Sequence, residues 1–477
     1  MARAPAPTLD RLAIIDDQGR RQKVQPADSD GRIARLKPWV RWALIGFFVA
    51  LPWIDIGGHP AVLIDLPARR FHLFGHILGA GDVPLLFFLL IAVGLALVVS
   101  TALWGRLWCG WACPHTVYLE AVYRRIERLI EGTGAARMAL DLGPWTSTKI
   151  AKKLLKWSLW ALASFVIAHI FLSYFVSIPA VVTMVLDDPF EQWGTFLVAA
   201  AATGVMYFNF GWFREQTCLI VCPYGRLQSA MHDADSITVG YDARRGEPRG
   251  KPRTKTAATT ADDLPVGDCI DCRRCVQVCP TGIDIRNGLQ MECIACAACA
   301  DACDDIMIKL HRAPGLVRYD SERGFAGEVR RRFRPRIAAY GVGVVVVAAA
   351  FGLFAWRSTA IVARVTRPPG PPFALIDSNG TSMVQNALLI HVENRATAEA
   401  VVSLVVDSTI EGVAGIETIT PVTALHLRAQ ERGDLPLLVR VVDDGHVDGR
   451  VIDVTVHDDV SGKDVKVQAR LLGPRAR

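Results

Sequence analysis

Twelve cysteines carry most of the chemistry that this 477-residue chain can offer. Eight fall in two runs of one spacing. Residues 269–280 read CIDCRRCVQVCP, which is C-x2-C-x2-C-x3-C-P, and residues 293–304 read CIACAACADACD, the same frame with Asp304 where proline is usual. Three thiolates two residues apart wrap three corners of a 4Fe–4S cubane through one tight loop, and the fourth cysteine of such a run ligates the neighbouring cluster. The expected sets are therefore Cys269, Cys272, Cys275 and Cys303 for one cluster, and Cys279, Cys293, Cys296 and Cys299 for the other. A zinc site takes four ligands in all, and two four-cysteine runs exceed that pattern. With every ligand position closed, such clusters carry electrons and leave no iron free for substrate.

The other four cysteines form two matching pairs. Trp104 to His115 reads WGRLWCGWACPH, and Gln216 to Tyr224 reads QTCLIVCPY, each C-x3-C-P. If each pair is helical, sulfurs four residues apart share one face, and the proline ends or kinks that helix. Cys109, Cys113, Cys218 and Cys222 can then converge at one depth. Soft thiolates suit Cu(I), zinc and iron–sulfur chemistry, so a copper site, a redox dithiol and a third cluster all stand open. Other residues are weaker signals. His169 has no second histidine to share a haem, His72 and His76 read as a surface pair, and Trp104, Trp108 and Trp111 read as an interfacial belt.

The elements that must position these thiols are membrane helices. Hydrophobic residues make up 51% and charged residues 21%, with a mean hydropathy of +0.27, which is too apolar for a disordered chain and unusual for a soluble one. The net charge of +6, from 53 basic and 47 acidic residues, leaves no polyanion footprint, and nucleic acid is not an expected partner. Apolar runs predict five spans, near 38–58, 83–105, 157–182, 192–213 and 337–356. The first is the weakest, uncharged only from Trp42 to Ile54.

Basic residues crowd 32–41, 106–156 and 330–336, whereas 57–82 holds two and 187–191 none. The positive-inside rule then places the 1–37 tail and all twelve cysteines on the cytoplasmic side of a bacterial inner membrane, with 368–477 in the periplasm. Thiols there stay reduced, which excludes a disulfide framework. No cleavable signal peptide is expected in residues 1–37.

Within the membrane region, 38–240, both C-x3-C-P motifs follow inward-going spans. Residues 241–262 read as an exposed linker and 263–320 as the double 4Fe–4S ferredoxin module. Beyond the span at 337–356, runs such as ALLIHVEN, AVVSLVVD and VIDVTVHD predict an all-β Ig-like sandwich over 368–477, best read as a docking module. The fold class is thus mixed: a polytopic α-helical membrane protein with an inserted bacterial ferredoxin and a C-terminal sandwich.

The order of parts and several strings resemble the cytochrome c oxidase accessory protein family, CcoG (FixG/RdxA). The strings are REQTCLIVCPYGRLQSAMHDADSITVGYDARRGEPRG, CVQVCPTGIDIRNGLQMECIACAACADACDD, GLVRYDSERG and NGTSMVQNALLIHVENR. The resemblance implies a role in maturing the cbb-type oxidase by reducing Cu(II) to Cu(I), a cupric reductase activity. It implies that the eight ferredoxin cysteines carry two 4Fe–4S clusters and that Cys109, Cys113, Cys218 and Cys222 match the family's membrane motifs. Implied partners are a cytoplasmic electron donor and oxidase assembly factors or a copper transporter. Two alternatives stay open: a quinol dehydrogenase-like electron conduit, which the outer β domain fits poorly, and a non-redox assembly scaffold.

Overall fold

The computed structural model describes residues 24–474 apart from 57, 67–68, 80–82, 251–266, 332–333, 358–360, 379–380, 397–398, 407–415, 429–430 and 443–446. Most of the expected 241–262 linker and most of the 1–37 tail therefore lie outside the described residues. The chain divides into two compact units, Met1–Gly352 and Leu353–Arg477.

The first unit is mainly helical. Its helices are α1 (Arg32–Ala50), α2 (Val83–Trp104), α3 (Leu107–Trp111), α4 (Pro114–Tyr118), α5 (Arg124–Glu131), α6 (Gly134–Leu142), α7 (Ser147–Val176), α8 (Ile178–Leu186), α9 (Trp193–Tyr207) and α10 (Pro223–Met231). A three-stranded antiparallel sheet, Val62–Asp65, Arg70–Leu73 and His76–Leu78, separates α1 from α2. Among the described residues, four stretches are long and apolar enough to cross a membrane: Pro84–Trp104, Ser147–Val176, Trp193–Phe213 and Pro335–Phe354. Their outer sides are bare aliphatics such as Leu90 and Val345, each about two-thirds exposed, as lipid-facing surfaces are. The expected 157–182 span is longer and then broken: Ser177, at φ +66°, ends α7 and starts α8.

The first expected span is not one of the four. Arg32, Arg35, Lys37 and Arg41 dilute α1, and it stops at Ala50. Its two ends nevertheless reach far apart. Lys37 Nζ donates to the Cys296 carbonyl, while Phe48 stacks on Tyr174 at 5.0 Å and its carbonyl accepts from the Tyr174 hydroxyl at 2.5 Å. Eleven helical residues rise about 16 Å, so α1 runs from the ferredoxin loops to the last turn of α7.

The start of α1 is capped from afar. Gly31, at its N-cap, has no side chain to offer, and the orphan N–H groups of Ile33 and Ala34 go to the Asp301 carboxylate at 3.2 and 2.6 Å. A Cβ at Gly31 would lie 2.2 Å from Asp301 Cγ, so only glycine admits that carboxylate.

The ferredoxin module is framed by an antiparallel strand pair, Thr238–Tyr241 with Val317–Asp320. It therefore opens before the expected 263. Its helices are α11 (Arg274–Gln277) and α12 (Ala298–Lys309).

The second unit is rich in sheet. One sheet orders its strands Ile416–Ile419, Arg432–Val442, Thr381–Asn394 and Ile361–Thr366, with Ala374–Ser378 also on the long strand. The other orders Leu425–Leu427, Ala400–Val406, Val451–Asp458 and Lys463–Arg470. Both are antiparallel and share one core, in which Ile390, Leu437, Val402 and Val454 are fully buried. The unit begins earlier than Pro368, because Ile361–Thr366 already pairs with the long strand and turns Ile361 and Ala363 inward.

Candidate iron–sulfur and membrane thiol sites

The two ferredoxin runs share one backbone. In each, the residues either side of the second cysteine are left-handed: Asp271 at φ +53° and Arg273 at +55°, Ala295 at +51° and Ala297 at +55°. Such turns are costly for residues other than glycine and persist where a ligand holds them. They curl three thiols toward one centre, and the Ala295 N–H points at Cys293 Sγ at 3.4 Å.

The eight thiols line two apolar cavities. One has Cys269, Cys272, Cys275 and Cys303 on its wall. The other has Cys279, Cys293, Cys296 and Cys299, with Cys275 between the two. The fourth cysteine of each run thus crosses to the other run's cavity. Four thiols on the wall of each cavity match the ligand number of a 4Fe–4S cubane. Burial pushes the Cys275, Cys293 and Cys303 thiols up to about 12, so ligation by a metal group has to displace their protons. Asp304, in the proline position, accepts the Gly315 N–H at 2.7 Å and ties down the next loop.

The membrane thiols converge, but not on two helical faces. Cys113 and Cys222 are extended residues at the starts of α4 and α10, and Pro114 and Pro223 fill the first helical position. Proline fits there because that N–H has no helical partner. Each proline starts a helix, and the helical stretch that carries the first cysteine of each pair ends just before it, as expected. Cys109 sits in α3, and Cys218 in a π-helical turn, Thr217–Val221. All four thiols are half-buried and within electrostatic range of one another. Burial pushes Cys109 up to about 11 and Cys218 higher still. Gln228, only 1% exposed, donates its amide to Cys109 Sγ at 3.4 Å. A Cβ at Gly225 would meet the Cys218 carbonyl at 2.5 Å.

This thiol set is docked on the second ferredoxin loop. A Cβ at Gly110 would lie 2.6 Å from the Ile294 oxygen and 2.9 Å from Cys296 Cα, so α3 touches that loop backbone to backbone. Trp111 Nε1 donates to the Tyr319 hydroxyl at 2.9 Å, which donates to the Ala295 carbonyl at 2.7 Å. The Arg106 guanidinium bridges Gly225 (2.8 Å) and Met291. A further cavity brings Cys218 and His115 together with Pro280 and Ile294. We expect Gly110→Val to push α3 off this loop. The membrane thiols should then react faster with a maleimide in detergent, by roughly tenfold, with iron content unchanged. An unchanged labelling rate would show that the contact does not hold them.

A buried charge network supports the same elements. Glu127 accepts from Arg137 at 3.0 Å and Arg214 at 2.6 Å, and Arg124 is paired to both Glu120 and Glu215. Burial alone would raise the Glu127 carboxyl; Arg214 and Arg137 outweigh it and hold it below the usual carboxylate range. Arg214 is fixed just after α9, where the Cys218 segment begins. Sequence reading missed Gln228, Arg106 and this network, because none carries a spacing signal.

The discounted residues find ordinary partners. His169 Nδ1 bonds the Phe165 carbonyl at 2.7 Å. His72 is not on the surface as expected: it is buried, with its ring 4.6 Å from that of His59. Trp104 and Trp108 are exposed, as an interfacial belt requires.

Two ferredoxin frames docked on apolar helices define a membrane-bound iron–sulfur electron-transfer protein. Residues 213–322 match the 4Fe-4S dicluster domain family, and residues 85–131 match a 4Fe-4S binding domain family. The chain is 36% identical to protein RdxA of Cereibacter sphaeroides over 90% of its length and 95% of RdxA. It is 35% identical to nitrogen fixation protein FixG of Rhizobium meliloti, over 87% of this chain and 83% of FixG. It belongs to the FixG/RdxA family. The crystal structure of a FixG-related protein from Vibrio parahaemolyticus covers 24% of this chain and 97% of its own at 16% identity, with a TM-score of 0.20, too low to bear on the fold.

Proposed function

We propose that this protein reduces Cu(II) to Cu(I) at the four membrane thiols during assembly of a cbb-type oxidase. The observation that carries the reading is the backbone contact between α3, which holds Cys109, and the loop of Cys296. Cys269, Cys272, Cys275 and Cys303 would hold one 4Fe–4S cluster and Cys279, Cys293, Cys296 and Cys299 the other; when bound, the clusters supply one-electron transfer. The protein's own residues bury that group, keep water from it and press it against the thiol site. Cys109, Cys113, Cys218 and Cys222 offer soft donors to the copper substrate. Each Cu(II) takes up one electron, and thiolates favour the Cu(I) that results.

Protein reduced anaerobically and freed of excess reductant should convert about two Cu(II) per molecule, one for each cluster, read as a Cu(I)–bathocuproine complex. No Cu(I) beyond that formed by cluster-free protein would overturn the proposal. A second reading has its own support. The 4Fe-4S binding domain match at 85–131 includes Cys109 and Cys113, so the four membrane thiols would hold a third cluster.

For topology we infer five spans, with α1 crossing beside α7. The ferredoxin then faces the cytoplasm of a bacterial inner membrane, and the C-terminal unit, an Ig-like sandwich in this reading, faces the periplasm. Loop charge supports this orientation. A periplasm-dependent reporter should be active when fused after residue 477 and silent near residue 250. The opposite pattern would reverse the orientation.

A further inference from the structure

One large cavity serves neither thiol set. It measures about 650 Å³ and lies between residues 26–34, α1, α5 and the second ferredoxin loop, with Cys296 and Ile294 on its wall. That volume suits a small-molecule ligand. Six cations line it: Lys37, Arg41, Arg124, Arg125, Arg128 and Arg137. Five carboxylates oppose them: three on the wall, and Glu127 and Glu215, which pair with Arg137 and Arg124. Glu120 pairs with Arg124, Asp301 caps α1, and Asp28 meets Arg128 at 3.3 Å.

The Nε atoms of Arg41, Arg124 and Arg137 are buried and have no hydrogen-bond partner among the described residues. All three belong to this one cavity. Buried donors are normally satisfied, and guanidinium groups are built to take phosphate oxygens through paired N–H groups. Its wall also carries exposed apolar side chains: Leu129, about four-fifths exposed, and Trp42. Such side chains belong at the boundary of a bilayer.

We propose that this cavity binds a phosphate-bearing anion, of the size of a phospholipid headgroup or a mononucleotide, against the loop that carries Cys296. The proposal does not depend on the copper reading. Arg124 and Arg137 also hold the ion-pair network, so the test uses Arg41→Gln and Arg125→Gln. Arg125 contacts the Trp42 ring at 5.9 Å and sits at the exposed edge.

Delipidated cluster-loaded protein in neutral detergent is titrated calorimetrically with dihexanoyl phosphatidylglycerol, dihexanoyl phosphatidylcholine and flavin mononucleotide. Any phosphorus compound retained on purification is first extracted and identified by mass. Saturable binding of the phosphatidylglycerol and not the phosphatidylcholine, weakened about tenfold in each variant, assigns the cavity to an anionic lipid headgroup. Binding of the flavin nucleotide alone, weakened in the same way, assigns it to a soluble phosphate. If neither probe binds and no phosphorus compound is retained, or if both variants bind as the wild type does, the proposal is overturned.

Discussion

Replacing Cys109 and Cys113 together with serine should abolish the proposed copper reduction and leave most of the iron in place. The eight ferredoxin cysteines suffice for two closed clusters, which need about eight irons and eight sulfides. A serine hydroxyl is a hard, high-pKa ligand and cannot replace a thiolate for a soft ion. Cys218 with Cys222 should behave alike, since the four thiols share one electrostatic neighbourhood. Iron analysis and the bathocuproine assay on the same preparation separate the readings. Loss of about a third of the iron would assign the four thiols to a third cluster. Copper reduction at the wild-type rate would place the copper site elsewhere.

Glu127→Ala should be the most damaging single change in the helical unit. It strands Arg137 and Arg214 in a buried setting, and breaking one side of such a pairing costs about 3–5 kcal/mol. Glu127→Gln should cost less, because an amide oxygen still accepts one guanidinium N–H. The measurement is thermal unfolding of the detergent-solubilised protein, with wild type as reference. The carboxyl is held below its unfolded value, so its stabilisation is complete at neutral pH. It is lost only as pH falls from the unfolded range through the folded value. A melting temperature within error of wild type for the alanine variant would remove the network's structural role.

The cysteine frames were readable because cluster ligation acts through short covalent spacing, and that spacing is preserved whatever the surroundings. The four plain spans were readable for a similar reason, since about twenty uncharged residues in a row have few other uses. What escaped depends on distance in the chain. α1 reads poorly as a span because Lys37 and Arg41 interrupt it, yet those side chains are engaged by Cys296 and Glu120, in loops the sequence places far away. The C-x3-C-P pairs were legible only in part: each proline closes the helical stretch before it, as expected, but also opens the next helix, so the second cysteine lies between two helical segments and not on one shared face. Gly110 and Gly31 look like ordinary glycines until the backbone of another segment is brought against them.

The Asp301 cap on α1 also sets an order of events. Ile33 and Asp301 are 268 residues apart. At roughly 5–20 residues per second on the ribosome, α1 waits on the order of tens of seconds with its first turn uncapped. Asp301 lies in α12, which starts inside the second cysteine loop. α1 is therefore made early and capped late, by a residue of the ferredoxin module.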